Sequence, residues 1–167
     1  MLKIALGDLR HRTLGRHSVL MPLGIGLIAS YLKKSMQNRV DIRLYEDPTK
    51  FLNEISIWVP DVIGLSNYMW NAELNRLIFK YAKKVHKDVI CVAGGPEFPV
   101  DMKECRDFLD KRPEIDFYVF LEGEVAFAKL VEEVFRGVSN NGLKETPPEG
   151  ILSIHSENRT LTSGRYS

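Results

Sequence analysis

An α/β fold built on a parallel sheet, the three-layer sandwich of flavodoxin-like (Rossmann-like) proteins, is the architecture this sequence predicts. Three observations carry it. Short apolar runs at residues 3–8, 61–66, 89–93 and 115–120 alternate with longer segments whose apolar residues recur at helical spacing. Apart from Lys3, Asp8, Asp61, Ser66 and Asp116 at or near their ends, these runs are apolar, as in strands covered by helices on both faces. By contrast Val40, Ile42 and Leu44 are separated by Asp41 and Arg43, the alternation of a half-exposed strand at a sheet edge. With that second strand at an edge and the first, third and fourth interior, the five-stranded parallel sheet takes the order 2-1-3-4-5 with right-handed crossovers.

Each element follows in turn. Residues 3–8 give the first strand, and a loop over 9–22 follows it. That loop is far longer than the ~2–6 residues usual between strand and helix, which points to function or mobility. Leu27, Ile28, Tyr31 and Leu32 then mark a helix that ends in Lys33 and Lys34, cations suited to a helix C-terminus. After the edge strand, Asp47 and Pro48 form an N-cap and a proline at the first helical position, ahead of Phe51, Leu52 and Ile55. The third strand is 61–66. Asn71 caps a helix whose apolar stripe is Leu74, Leu77, Ile78, Tyr81, Ala82 and Val85, with Arg76, Lys80, Lys83, Lys84 and Lys87 on a solvated face. The fourth strand, 89–93, runs into Gly94-Gly95-Pro96-Glu97. A short helix carries Met102, Cys105, Phe108 and Leu109, and the fifth strand is 115–120. Glu122-Gly123-Glu124 opens a helix with Phe127, Leu130, Val131, Val134 and Phe135 inward. Residues 1–137 therefore read as one domain. Residues 138–150, rich in Ser, Asn, Gly and Pro, read as a linker, followed by a hairpin of 151–155 and 159–162.

Bulk properties narrow the function. Lys+Arg of 23 against Asp+Glu of 22 leaves a net charge of +1, which provides no field for nucleic acid or a membrane surface. No apolar run approaches the ~20 residues of a membrane span, and no secretory pattern precedes the first strand. There are two cysteines, and Cys91, inside an apolar strand, is expected as a buried free thiol. Together these predict a soluble cytoplasmic protein.

Several chemistries lack their motifs. The glycine-rich dinucleotide turn is missing after the first strand, with Leu23-Gly24-Ile25-Gly26 only a weak echo. Neither a phosphate-binding loop, nor zinc-spaced cysteines, nor a nucleophile elbow is present. His11, His17, His86 and His155 are scattered without ligand spacing. What remains is the set of loops at the strand carboxyl ends, where open α/β sheets bind ligands. Gly94 and Gly95 allow positive φ and close approach of a ligand, and suit a plain tight turn equally. Tyr68, Met69 and Trp70 fit either a cover over a broad flat ligand or a contact with a neighbouring domain. Arg10, Arg12 and Arg16 suit contacts to amide oxygens or phosphate, or a solvated loop.

At this point the motifs form a set. Met21-Pro22-Leu23-Gly24-Ile25-Gly26-Leu27-Ile28-Ala29-Ser30-Tyr31-Leu32, Pro60-Asp61-Val62-Ile63-Gly64-Leu65-Ser66, Gly94-Gly95-Pro96-Glu97, and Ile115-Asp116-Phe117-Tyr118 ahead of Glu122-Gly123-Glu124 occur in that order. Together they resemble the N-terminal cobalamin-binding domain of cobalamin-dependent radical S-adenosylmethionine enzymes, over about residues 1–136. The resemblance implies a corrin across the carboxyl rim, with Ser66 and the pair Gly94 and Gly95 bordering the nucleotide tail. It implies cofactor contacts from Asp8, Leu9, Ser66, Asn67, Tyr68, Gly94, Gly95, Pro96, Glu97, Glu122, Gly123 and Glu124, and no metal ligand or catalytic residue in this chain.

Three departures qualify what carries over. Leu121 stands where relatives often have the first glycine of Gly-Glu-Gly-Glu. Mutase-type domains carry Asp-x-His-x-x-Gly after the first strand, but here His11 is three residues from Asp8 and Gly15 follows four later, so no cobalt-ligating histidine transfers. Leu9, Tyr68 and Met69 are then the expected cover for the cobalt's lower face. The Cys-x-x-x-Cys-x-x-Cys motif is also missing, so two cysteines cannot hold a four-iron cluster. The expectation is a non-catalytic fragment, with 138–167 leading to a radical S-adenosylmethionine domain of the same chain. That domain would hold the four-iron four-sulfur cluster and S-adenosylmethionine, and the whole enzyme would transfer a methyl group to a substrate radical by way of cobalamin. The rivals are a stand-alone corrinoid or flavin carrier, and a receiver-like module, which requires an acidic residue where Ser66 and Asn67 stand.

Overall fold

In the computed structural model, which describes residues 1–10, 22–120 and 122–164, β1 (Leu2–Gly7) lies between β2 (Val40–Tyr45) and β3 (Val62–Ser66). Outward from β3 come β4 (Ile90–Gly94) and β5 (Phe117–Val119), so the first five strands are parallel in the order 2-1-3-4-5. β6 (Ile151–Ile154) and β7 (Leu161–Ser163) continue the same sheet in antiparallel sense, making seven strands. The expected hairpin forms, and it does so as part of the domain's own sheet. β6 joins because all four of its residues are buried, Ile151 against one helical layer and Leu152 and Ile154 against the other. The expected linker is also structured. Ser139 caps α6 (Asn140–Glu145) by accepting from Gly142 N, and Leu143 is buried.

Strand alternation divides the core in two. Ile4, Leu6, Val62, Val92, Phe117 and Val119 face α1 (Leu23–Met36) and α5 (Gly123–Phe135). Ala5, Ile63, Leu65, Cys91, Ala93 and Tyr118 face α2 (Pro48–Trp58), α3 (Ala72–Val85) and α4 (Met102–Asp110). Asp47 caps α2 through Thr49 N as its sequence position suggests, and Asp101 does the same for α4. Cys91 and Cys105 are both buried and free, and burial pushes the Cys91 thiol well above its usual range.

Two helical stripes are rotated from expectation. α1 turns Ile25, Ala29, Leu32 and Met36 inward and leaves Leu27 and Tyr31 exposed. α3 buries Asn75, Ile78, Phe79 and Ala82 and exposes Leu77, Tyr81 and Val85. The inward position of α3 is set by an amide: Asn75 Nδ2 donates to Ser66 O at 2.9 Å at the end of β3. Hydrophobic periodicity cannot register such a residue. Phe135, expected inward, is exposed near the end of α5.

Candidate cofactor cleft

The strand register creates a cleft at the carboxyl ends by omitting side chains. On the face toward α1 and α5, Leu6 pairs with Gly64, Gly64 with Val92, Ser66 with Gly94, and Gly94 with Val119. Three small residues on two neighbouring strands thus leave a gap between the sheet and the first turns of α1 and α5. The result is a cavity of about 280 Å³. Its floor is Leu6, Gly64, Ser66, Val92, Gly94 and Val119, and its helical wall includes Ile25, Ile28 and Phe127. Glu122 and Glu124 are the charged residues on its lining.

Close packing around the glycines gives the cleft its edge. A Cβ on Gly123 would meet Ile28 Cδ1 at 3.1 Å, so glycine lets the start of α5 approach α1. Gly95 has φ +135°, and a Cβ there would stand 2.5 Å from Asn67 O, so this position requires glycine on two grounds. Among the described residues no side chain caps α1 or α5, and residues of both first turns line the cavity.

Of the residues expected to contact a cofactor, Ser66, Tyr68, Gly94, Gly95, Glu122, Gly123 and Glu124 line the cavity. Five do not. Leu9 is fully buried in the core toward α2 and α3, and so is not available to cover a ligand on the rim. Asp8 pairs with Arg10 at 3.3 Å, and its backbone N–H donates to Tyr45 O. Asn67 is buried, and its amide donates to Glu97 O at 3.0 Å. Glu97 returns a backbone bond to Asn67 O, and Pro96 is exposed between the two glycines and Glu97 without reaching the cavity. Tyr68 and Trp70 stack at 4.5 Å with 7° between their planes, and Met69 and Trp70 are exposed, giving a flat apolar surface on the rim. Asn71 precedes α3 as predicted, but its side chain caps no helical N–H and serves the rim loops instead.

Sequence reading missed Leu6, Ile25, Ile28, Gly64, Val92, Val119 and Phe127, which pass for ordinary core. The signal was the coincidence of Gly64, Ser66 and Gly94 on one face near the strand ends, visible only once the strands are in register. His11, Arg12, Arg16, His17 and Leu121 lie outside the described residues. His86 contacts Ile55 O, and His155 Nδ1 accepts from Glu157 N, so both are engaged with backbone away from the cleft. Among the described residues no helix is long and apolar enough to cross a membrane.

Known proteins share sequence and fold with this chain. The chain is 30% identical over 118 residues to 2-(S-pantetheinyl)-carbapenam-3-carboxylate methyltransferase of Streptantibioticus cattleyicolor, covering 68% of this chain and 17% of that protein. It is 30% identical over 116 residues to the cobalamin-dependent radical SAM methyltransferase TokK of Streptomyces tokunonensis, covering 66% and 16%. The chain thus spans about a sixth of the length of these curated relatives. The fold matches a region of the cobalamin-dependent S-adenosylmethionine radical enzyme OxsB at a TM-score of 0.70 and 18% identity, covering 100% of this chain and 22% of that one. Residues 14–131 match the B12 binding domain, most of the sequence from the long first loop to the middle of α5, and the chain belongs to that family.

Proposed function

We propose that this chain holds cobalamin for a radical S-adenosylmethionine methyltransferase, with the nucleotide tail in the cleft and the corrin over the rim. The observation that carries the reading is the cleft itself, an apolar slot opened by Gly64, Ser66 and Gly94 at the carboxyl ends of the strands. Bound cobalamin would supply the methyl-carrying metal chemistry. The chain's own residues would bind and orient it: Ser66, Gly94 and Gly95 against the tail, the first turns of α1 and α5 toward its polar groups, and the Tyr68–Trp70 stack as a flat surface beside the ring.

The tail supports a partner in the same direction. β6 and β7 each reverse the chain, so β7 runs with β5 and ends at the carboxyl rim, where Gly150 N donates to Gly164 O. A radical S-adenosylmethionine domain following residue 164 would begin on the cofactor side. The much greater length of the relatives supports such a domain.

The test is titration with hydroxocobalamin, with flavin mononucleotide as the competing carrier ligand. Saturable binding of hydroxocobalamin alone is expected. Ser66→Leu, whose side chain points into the cleft, should weaken it more than about tenfold while melting within a few degrees of wild type. Equal affinity in folded Ser66→Leu would refute the location, and preference for the flavin would refute the cofactor.

A further inference from the structure

Among the described residues six polar side chains are buried: Asn67, Asn71, Asn75, Glu114, Asp116 and Ser153. The last three sit at the amino end of β5 or on β6. The three asparagines gather at the cofactor rim, beneath the cleft and outside its lining.

Their hydrogen bonds reach the residues that do line it. Asn71 Nδ2 donates to Ser66 O at 3.0 Å and to Leu9 O at 3.2 Å, and Asn71 Oδ1 accepts from Tyr68 N at 2.8 Å. Asn75 Nδ2 adds a second donor to Ser66 O. Asn67 N donates to Gly94 O at 2.7 Å, and its side chain donates to Glu97 O. Tyr118, buried on β5, completes the ring by donating its hydroxyl to Gly95 O at 2.8 Å. Burial pushes that hydroxyl far above its usual pKa, so it remains a donor at any ordinary pH.

Ser66, Tyr68 and Gly95 are thus held at the backbone by the side chains of Asn71, Asn75 and Tyr118, and Gly94 by the backbone N–H of Asn67, whose own side chain holds Glu97. Strands end here, so side chains take over as partners for Ser66 O and Gly95 O. A primary amide, with two donors and an acceptor oxygen, can join two loops at once. Asn71 ties the loop after β1 to the loop after β3, Asn67 ties the loop after β3 to the loop after β4, and Tyr118 ties β5 itself to the loop after β4.

We propose that Asn67, Asn71, Asn75 and Tyr118 are positioning residues that fix the walls of the cleft in a ligand-ready geometry before any ligand arrives. The inference rests on the cofactor reading for its consequence in binding, but not for its consequence in the free protein. Preorganised walls bind more tightly because little ordering remains to be done on association.

The experiment compares Tyr118→Phe and Asn75→Leu with Ser153→Ala, which removes an equally buried hydroxyl bond, to Asp116 O, away from the rim. Three quantities are measured on the full chain: hydroxocobalamin affinity, melting temperature, and hydrogen exchange of the Asn67, Tyr68 and Glu97 amides without ligand. Tyr118→Phe should lose about five- to tenfold in affinity, the scale of one buried hydrogen bond, and speed exchange at those amides. Asn75→Leu should do the same. Ser153→Ala should lower the melting temperature by a similar amount yet bind and exchange at the rim as wild type does. Wild-type rim exchange in both rim variants would overturn the proposal, as would an equal loss of affinity in Ser153→Ala. If the unaltered chain does not bind hydroxocobalamin, the cofactor reading falls alone. The exchange rates then still decide: faster rim exchange supports the positioning role, and unchanged exchange refutes it.

Discussion

Replacing Asp116 should be the most damaging single change away from the cleft. Its carboxylate is 2% exposed and receives Lys83 Nζ at 2.6 Å and Lys144 Nζ at 2.8 Å. It also accepts from Cys91 N at 2.8 Å and Asn140 Nδ2 at 3.0 Å. One carboxylate thus joins α3, α6 and β4. Asp116→Ala strands a buried backbone N–H and brings two ammonium groups together without their counter-ion. Removing one partner of a buried ion pair costs about 3–5 kcal/mol. Because the Lys83 and Lys144 side chains are 24% and 19% exposed, they can turn partly to water, which places the expected loss near the low end, at about 3 kcal/mol. Burial alone would raise the Asp116 pKa, but Lys144, Lys83 and the Cys91 N–H outweigh it and hold the carboxyl below its ordinary value. A lowered native pKa means that the stabilisation is complete above the unfolded value of about 4 and is lost as the pH falls through the native one. Urea unfolding at neutral pH should therefore show a shifted midpoint in Asp116→Ala, and the stability gap from wild type should narrow below about pH 4. Hydrogen exchange should quicken first in β6 and β7. A loss under about 1 kcal/mol, or a gap that does not change on acidification, would refute the assignment of Asp116 as the pin of the tail.

Gly95→Ala should destabilise by at least about 1–3 kcal/mol, since its φ of +135° and the 2.5 Å approach to Asn67 O both penalise a Cβ; a melting temperature equal to wild type would contradict this. Gly26→Ala, where an added Cβ meets nothing within 4 Å inside α1, should stabilise by about 0.5–1 kcal/mol in the same assay. Burial raises the pKa of both the Cys91 and Cys105 thiols, so neither should react with a disulfide reagent at about pH 8 until the chain is unfolded, and titration of native thiols checks it.

The strands and their order were legible because a doubly covered sheet imposes one pattern on its strands: continuous apolar runs inside and an alternating run, Val40 to Leu44, at the edge. The helical faces of α1 and α3 were less so. Both carry apolar residues on more than one side, and the faces turned inward include Ala29 in one case and the polar Asn75 in the other. The tail misled because Ser, Asn and Pro fit a linker and a capped helix equally well. What separates them is the fit of Leu143 and Ile151 to an existing core, which no local pattern contains. In the site the glycine pair was legible, but only Gly95 takes a positive φ; Gly94 stays in strand geometry and serves by leaving space in the cleft. Leu9 and Asn67 stood at the right place in the chain, but the strand pleat and the rim bonds turned their side chains inward.

The two ends of the sheet are held by different chemistry, and the difference suits their tasks. At the amino end, Asp116 with its two lysines and Glu114 with Arg76 at 2.8 Å use ions, which bind strongly but depend on pH and carry a large desolvation cost. At the carboxyl rim the work falls to three amides and a phenol, none of which changes charge over the ordinary pH range. A neutral scaffold leaves no buried charge behind an apolar cavity, so the slot can close on an apolar ligand surface without stranding an ion. It follows that acid should loosen the tail before the rim. As the pH falls below about 4, exchange in β6 and β7 should rise while the Asn67 and Tyr68 amides keep their protection. The reverse order would mean that charged groups, and not the amide network, hold the cleft.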